Sequence, residues 1–79
     1  MLIRLSRIEI QRPTMTHGAM EQRIKELGPV LIHPANIVRV NPAKSNHTLT
    51  EIIMVSLEAI YVLESIEYVA ACVDEAYSK

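Results

Sequence analysis

Three histidines, one cysteine and nine carboxylates are the side chains here with the reactivity for catalysis or metal binding. Cys72, His17, His33 and His47 lie far apart, with none of the paired spacings by which zinc sites recruit their ligands. The histidines fall in loop or helix-start segments, and no nucleophile elbow or phosphate loop accompanies them, so they read as surface residues. Cys72 sits one position from the apolar stripe of a terminal helix, where a small cysteine is usually packed and inert. Glu51, Glu58 and Glu64 could line a groove, but carboxylates around a hairpin more often face water. The chemistry-bearing residues therefore point to no catalytic set, no metal and no cofactor, and the chain is expected not to be an enzyme.

The basic residues offer a second kind of chemistry. Up to Lys44 seven basic residues face three acidic ones, a balance of +4, and from Ser45 onward one basic residue faces six acidic ones, a balance of −5. The bland reading is that the two halves neutralise each other within the fold or across a subunit interface. The sharper one is a small-ligand or nucleotide sequestering protein, in which Arg7, Arg23, Lys25 and Arg39 from two subunits meet an anionic ligand. Arg4, Arg7, Arg23 and Arg39 could also form a basic face for phosphates. The acidic second half and the absence of Phe and Trp for base stacking argue against nucleic acid.

Positioning any of these groups requires a core, and 79 residues make a thin one. A single domain of this size, residues 1–79, buries only roughly 60% of the surface its unfolded chain exposes. One cysteine cannot form an intrachain disulfide and suits a reducing cytoplasm. With 49% of its residues apolar, the chain is expected to gain the missing burial by homo-oligomerisation, most simply as a dimer. The longest apolar run, from Ile52 to Leu63, is interrupted by Glu58 and falls short of the roughly 20 residues needed to cross a bilayer. The amino terminus does not read as a signal peptide.

Leu2 to Ile10 alternates apolar and polar residues, with Ile3 and Leu5 on one face and a shift of parity to Ile8 and Ile10. This predicts a strand containing a bulge, ended by Pro13. Thr14 or Thr16 then caps a predicted short helix over 14–27, whose stripe Met20, Ile24 and Leu27 is stopped by Gly28 and Pro29. Val30 to Ile32 and Ile37 to Val40 are short strand candidates, and residues 41–47 form a loop.

Residues 50–65 admit two readings. A helix over 48–77 would be about 45 Å long and apolar nearly all round in its first half, which demands burial on every side. Against it, Ile52, Ile53, Val55, Ile60 and Val62 are β-branched, and Thr50, Ile52 and Met54 can face Ile60 and Val62 across a turn at 56–59. Composition leans to the hairpin. After Leu63 the period becomes helical, with Ile66, Val69, Val73 and Tyr77 in one stripe, Ser65 as N-cap and Glu67 in the first turn. That stripe must cover the sheet or a neighbouring subunit, and it is the expected interface.

The order of residues in VLIHPANIVRV and TEIIMVSLEAIYVLESIEYV resembles the FlbD-like proteins, small flagellar and swarming-motility proteins with phage-encoded relatives. Met1 to Leu5 matches the family's first strand loosely, Ile32 to Ile37 its Asn-Pro-x-x-Ile motif, and Glu64 to Val69 its ending, while 11–28 is an insertion. The resemblance implies a small curved antiparallel sheet with a C-terminal helix and no catalytic residues. The expected class is thus α+β: about five strands, SH3-like or an open barrel, plus a terminal helix and a short inserted helix. Its rival is a mainly helical chain with one long helix over 48–77. The expected role is a homo-oligomeric, non-enzymatic protein-interaction module in the cytoplasm, with a host or motility protein as partner.

Overall fold

Alternation of apolar and polar residues at the amino terminus becomes strand β1 (Ile3–Ile10), and β1 lies near the middle of the main sheet. The computed structural model describes residues 1–11, 14–16, 19–21, 23–44 and 46–78, the side chains of 14–16 and 19–21 excepted. After β1 come β2 (Thr14–Thr16), β3 (Ala19–Glu21), β4 (Ile24–Ile32), a 3-10 turn (Pro34–Asn36), β5 (Ile37–Pro42), β6 (Thr50–Met54), β7 (Ala59–Val62) and helix α1 (Ile66–Tyr77). Five strands form an open antiparallel sheet in the order β4-β1-β7-β6-β5, and β2 pairs with β3. The fold is a small α+β architecture, and the long-helix alternative is ruled out.

The stretch 50–65 is a hairpin followed by a capped helix. Thr50 lies opposite Val62 and Ile52 opposite Ile60. The turn is closed by Leu57 N–H donating to the Met54 carbonyl at 2.8 Å and Met54 N–H donating to the Glu58 carbonyl at 2.9 Å. It is achieved without glycine because Leu57 takes φ +70°, a left-handed conformation that costs a non-glycine residue about 1–2 kcal/mol. Ser65 Oγ accepts the Tyr68 N–H at 3.1 Å and so caps α1, a contact that stabilises a helix by about 1 kcal/mol.

One face of the sheet carries the main core. Ile3, Leu5, Ile32, Ile52, Ile60 and Val62 pack there with Val69 of α1, which is wholly buried. Burial on that scale is worth about 1.5–3 kcal/mol for each large aliphatic side chain. A second, smaller cluster joins Ile8, Ala43 and Leu49, with Ile10 and Tyr61 against them. Tyr61 alternates with Ile60 and Val62 along β7, so this cluster lies on the other face. The parity shift in β1 has the same origin: Ile3 and Leu5 serve the helix-backed face, Ile8 and Ile10 the opposite one. The expected bulge does occur beside Arg7 and Ile8, but the extra residue is Leu27 on β4, next to Gly28 at φ +96°.

The predicted helix over 14–27 is absent, and its described residues form β2, β3 and the first part of β4. Met20, Ile24 and Leu27 do fall at helical spacing, but strand pairing with β1 satisfies the backbone here and the spacing marks no buried face: Ile24 and Leu27 are exposed. Gly28 and Pro29, expected to stop that helix, lie inside β4. Pro29 is tolerated because β4 is an edge strand, where a missing N–H breaks no ladder. Pro42 occupies β5, the opposite edge, for the same reason. Gln11 N–H donates to the Arg23 carbonyl at 2.9 Å, so β2 and β3 prolong the β1/β4 ribbon and draw the molecule out to 52 Å by 21 Å by 20 Å.

Candidate interaction surface

Helix α1 lies over β5, and a groove of about 280 Å³ runs between them. Ile37, Val38 and Val40 of the strand and Ala70, Val73 and Tyr77 of the helix line it, with Arg39 and Asp74 bringing one charge of each sign. The register of β5 against β6 shifts between Ile37 and Arg39, which leaves Val38 as an extra residue and turns it outward. Val38 is 60% exposed and Tyr77 64% exposed. Val55 N–H donates to the Asn36 carbonyl at 2.7 Å and ties the β6/β7 turn to the start of β5. That turn exposes Val55 and, to 82%, Leu57.

Of the four residues expected at a subunit interface, Val73 and Tyr77 line this groove, and Ile66 is half-buried at the helix start. Val69 is not available to a partner, because it is consumed by the protomer's own core. Of the two roles expected for the stripe, covering the sheet or a neighbouring subunit, Val69 takes the first, while Val73 and Tyr77 border the groove. Ala70 fills the stripe expected from sequence, but Val38, Asp74 and Leu57 were not picked out, since nothing local to Val38 shows that β5 will lie beside a helix some thirty residues on.

The four basic residues of the anionic-ligand reading are dispersed within one protomer. Arg23 precedes β4 and Lys25 stands on it, opposite Glu9 of β1. Arg39 stands on β5, four strand spacings away, or roughly 19 Å across the sheet. Arg7 lies 4.0 Å from Glu58, with the Arg7 side chain half-buried and the Glu58 side chain exposed, a pair worth about 0–1 kcal/mol. Arg7 also borders a polar cleft of about 380 Å³, where Arg4 is its fellow cation and Glu26 and Glu64 are the anions. That balance leaves no net field for an anion.

Glu64 has a structural task. Its Oε1 accepts the Ser6 N–H at 2.8 Å and its Oε2 the Ser6 hydroxyl at 2.9 Å, while its carbonyl accepts the buried Thr50 hydroxyl at 2.6 Å. The carboxylate thus supplies β1 with the acceptor that β7 no longer provides once it leaves the sheet after Val62. On the other face Tyr61 donates to Glu51 Oε2 at 3.0 Å. This bond, with some burial and the Glu51 charge, pushes the Tyr61 phenol up. The Tyr68 phenol is likewise raised, chiefly by the charge and hydrogen bonding of Cys72 one turn further along α1.

His33 Nδ1 accepts the Ala35 N–H at 3.1 Å and so caps the 3-10 turn, a packing role for a residue of catalytic type. His47 is exposed in the 43–49 loop, and His17 lies outside the described residues. Among the described residues no three His, Cys, Asp or Glu side chains cluster as a metal site would require, and no helix is long and apolar enough to cross a membrane. Comparison of the chain with protein-family models, curated proteins and solved structures returns no match.

Proposed function

We propose that the protein is a small non-enzymatic interaction module that self-associates and presents its remaining surface to another protein in the cytoplasm. The observation that carries this is the set of large apolar side chains left exposed at the β5/α1 groove, Val38 and Tyr77, and at the β6/β7 turn, Val55 and Leu57. An exposed patch of contiguous large apolar side chains on a small domain is the usual mark of a docking face. The thin core adds to it, because a chain of this length gains most from burial shared with another chain. The FlbD-like resemblance supports a motility or phage setting. An anionic-ligand role draws less support, since its four basic residues do not converge within a protomer.

Light scattering on the purified chain tests the reading. The native protein is expected at a multiple of its 8.9 kDa chain mass, and Val38→Asp and Tyr77→Asp are expected to lower that mass with unchanged circular dichroism. Both side chains are exposed, so neither change removes core packing. A native protein that stays at one chain mass at the highest soluble concentration sinks the reading.

A further inference from the structure

We infer that the fork where β1 parts from β7 docks an extended, uncharged segment of another protein, which adds as a short strand beside Ile10. This rests on the part of the proposed function that concerns another protein, and it does not depend on self-association. Strands β1 and β7 share two pairs, Arg7 with Val62 and Ile8 with Tyr61. Continued, the register would set Glu9 against Ile60 and Ile10 against Ala59, and neither pair forms. Alternation along the ladders fixes where the freed groups point. The Ser6 carbonyl accepts the Leu63 N–H and Gln11 N–H donates to the Arg23 carbonyl, so even-numbered residues of β1 turn their main-chain groups toward β7 and odd-numbered ones toward β4. The Glu58 carbonyl accepts the Met54 N–H, so Ala59 and Tyr61 turn theirs toward β1. Ile10 and Ala59 therefore each aim an N–H and a carbonyl into the fork, and among the described residues no main-chain group meets them.

What completes such a site is another main chain. Free groups on a strand edge call for alternating donors and acceptors at strand spacing, which an added strand supplies. The fork holds a cleft of about 410 Å³, lined in part by the apolar residues Ile10, Leu27, Ile60 and Tyr61. Its two charged residues have opposite charges beside them within the chain: Arg7 lies 4.0 Å from Glu58, and Glu9 stands opposite Lys25. A neutral segment with apolar residues at alternate positions is the complement. The outer edges of the sheet are poorer sites. Strand β4 carries Pro29 and the extra residue Leu27, and β5 carries Pro42 and the shift beside Val38, features that blunt edge pairing. Neither β1 nor β7 contains Pro or Gly. Among the described residues a second copy lends no free stretch, because its 43–49 loop is anchored by buried Ala43 and Leu49 and its other links are shorter.

The test uses an uncharged heptapeptide, acetyl-Ser-Val-Thr-Val-Thr-Val-Ser-amide, and reads amide shifts and hydrogen exchange by nuclear magnetic resonance. In the free protein the Ile10 and Ala59 amides are expected to exchange fast, and on titration both are expected to shift and become protected. The same peptide N-methylated at its three valines cannot pair and is expected not to bind. Ala59→Pro removes one N–H of the fork without touching the β6 ladder, and should weaken binding by about threefold to tenfold, the effect of one hydrogen bond. No binding at the highest soluble concentration, equal binding of the N-methylated peptide, or shifts confined to the β5/α1 groove overturns the assignment. Protection of Ile10 and Ala59 in the peptide-free protein, where it is oligomeric, gives the fork to a second copy and overturns it too. Self-association is judged separately by chain mass: a multimer that ignores the peptide loses only the fork, and a monomer that binds it loses only self-association.

Discussion

Two hairpins meet different fates in this molecule. The β6/β7 hairpin sits in the interior of the sheet, and its inward residues Ile52, Ile60 and Val62 are buried beneath α1. The β1/β4 hairpin has one strand inside and one at the edge, and Ile24, Leu27 and Leu31 of β4 are exposed. Neighbours as well as composition decide burial: an edge strand has a partner on one side only and reaches past the area that a twelve-residue helix can cover. The same contrast appears in the backbone conformations, a turn residue in one hairpin and a residue inside β4 in the other. The buried hairpin holds a strained leucine in its turn, whereas the exposed one places its positive φ at Gly28, where the conformation costs little.

This contrast is open to direct attack. Ile52→Ala should cost about 2–5 kcal/mol in chemical denaturation, the range for deleting a fully buried aliphatic side chain, while Leu31→Ala should cost about 0.5 kcal/mol or less. Equal losses would show that the two hairpins are not energetically distinct. Next in size is Glu64→Ala, which removes the clasp between them. It should cost about 2 kcal/mol, since it leaves the Ser6 N–H without its acceptor. Faster hydrogen exchange at the Ser6 amide would report the loss, and Glu64→Gln, which keeps a carbonyl oxygen, should lose less. Unaltered exchange at Ser6 in the alanine variant would remove the clasp from the account.

The smallest effect belongs to Tyr61→Phe, at about 1 kcal/mol near neutrality, and it sharpens the picture of the hairpin's outer face. The Tyr61 phenol is held above its ordinary value of 10.0 by its bond to Glu51, then by burial and by the Glu51 charge. The folded chain therefore holds that proton more tightly than the unfolded chain. The resulting stability is present below pH 10 and is lost as pH rises through the folded-state value. Phenylalanine should flatten this alkaline decline in a pH series of unfolding curves, and an identical slope in both proteins would dismiss the Tyr61–Glu51 bond.

Sequence pattern was informative wherever periodicity coincided with burial. Ser65 followed by Ile66, Val69 and Val73 marked α1, and the opposition of Thr50, Ile52 and Met54 to Ile60 and Val62 marked the β6/β7 hairpin even without a glycine in its turn. The pattern misled where apolar residues face water. Met20, Ile24 and Leu27 satisfy a helical template, yet Ile24 and Leu27 are exposed on β4 and so are not under the packing constraint that gives periodicity its meaning. The pair His17-Gly18 between Thr-Met-Thr and Ala-Met-Glu was the better signal, since a two-residue link ending in glycine favours a hairpin. The groove was half legible: Val73 and Tyr77 follow from the helical stripe, but their meeting with Val38 and Arg39 depends on strand order, which no local pattern encodes.

The Ser6–Glu64 clasp also sets an order of events for the nascent chain. Strand β1 is synthesised before its partners Tyr61, Val62 and Glu64, which come more than fifty residues later. The β1/β4 ribbon can pair early, but the inner edge of β1 has nothing to join until the second hairpin and the helix cap have both been made. Closing so long a loop is the slow kind of step in folding, and through most of synthesis the future centre of the sheet is its exposed margin. For this protein the period of greatest vulnerability to wrong partners falls between the synthesis of β1 and that of β7 and the helix cap.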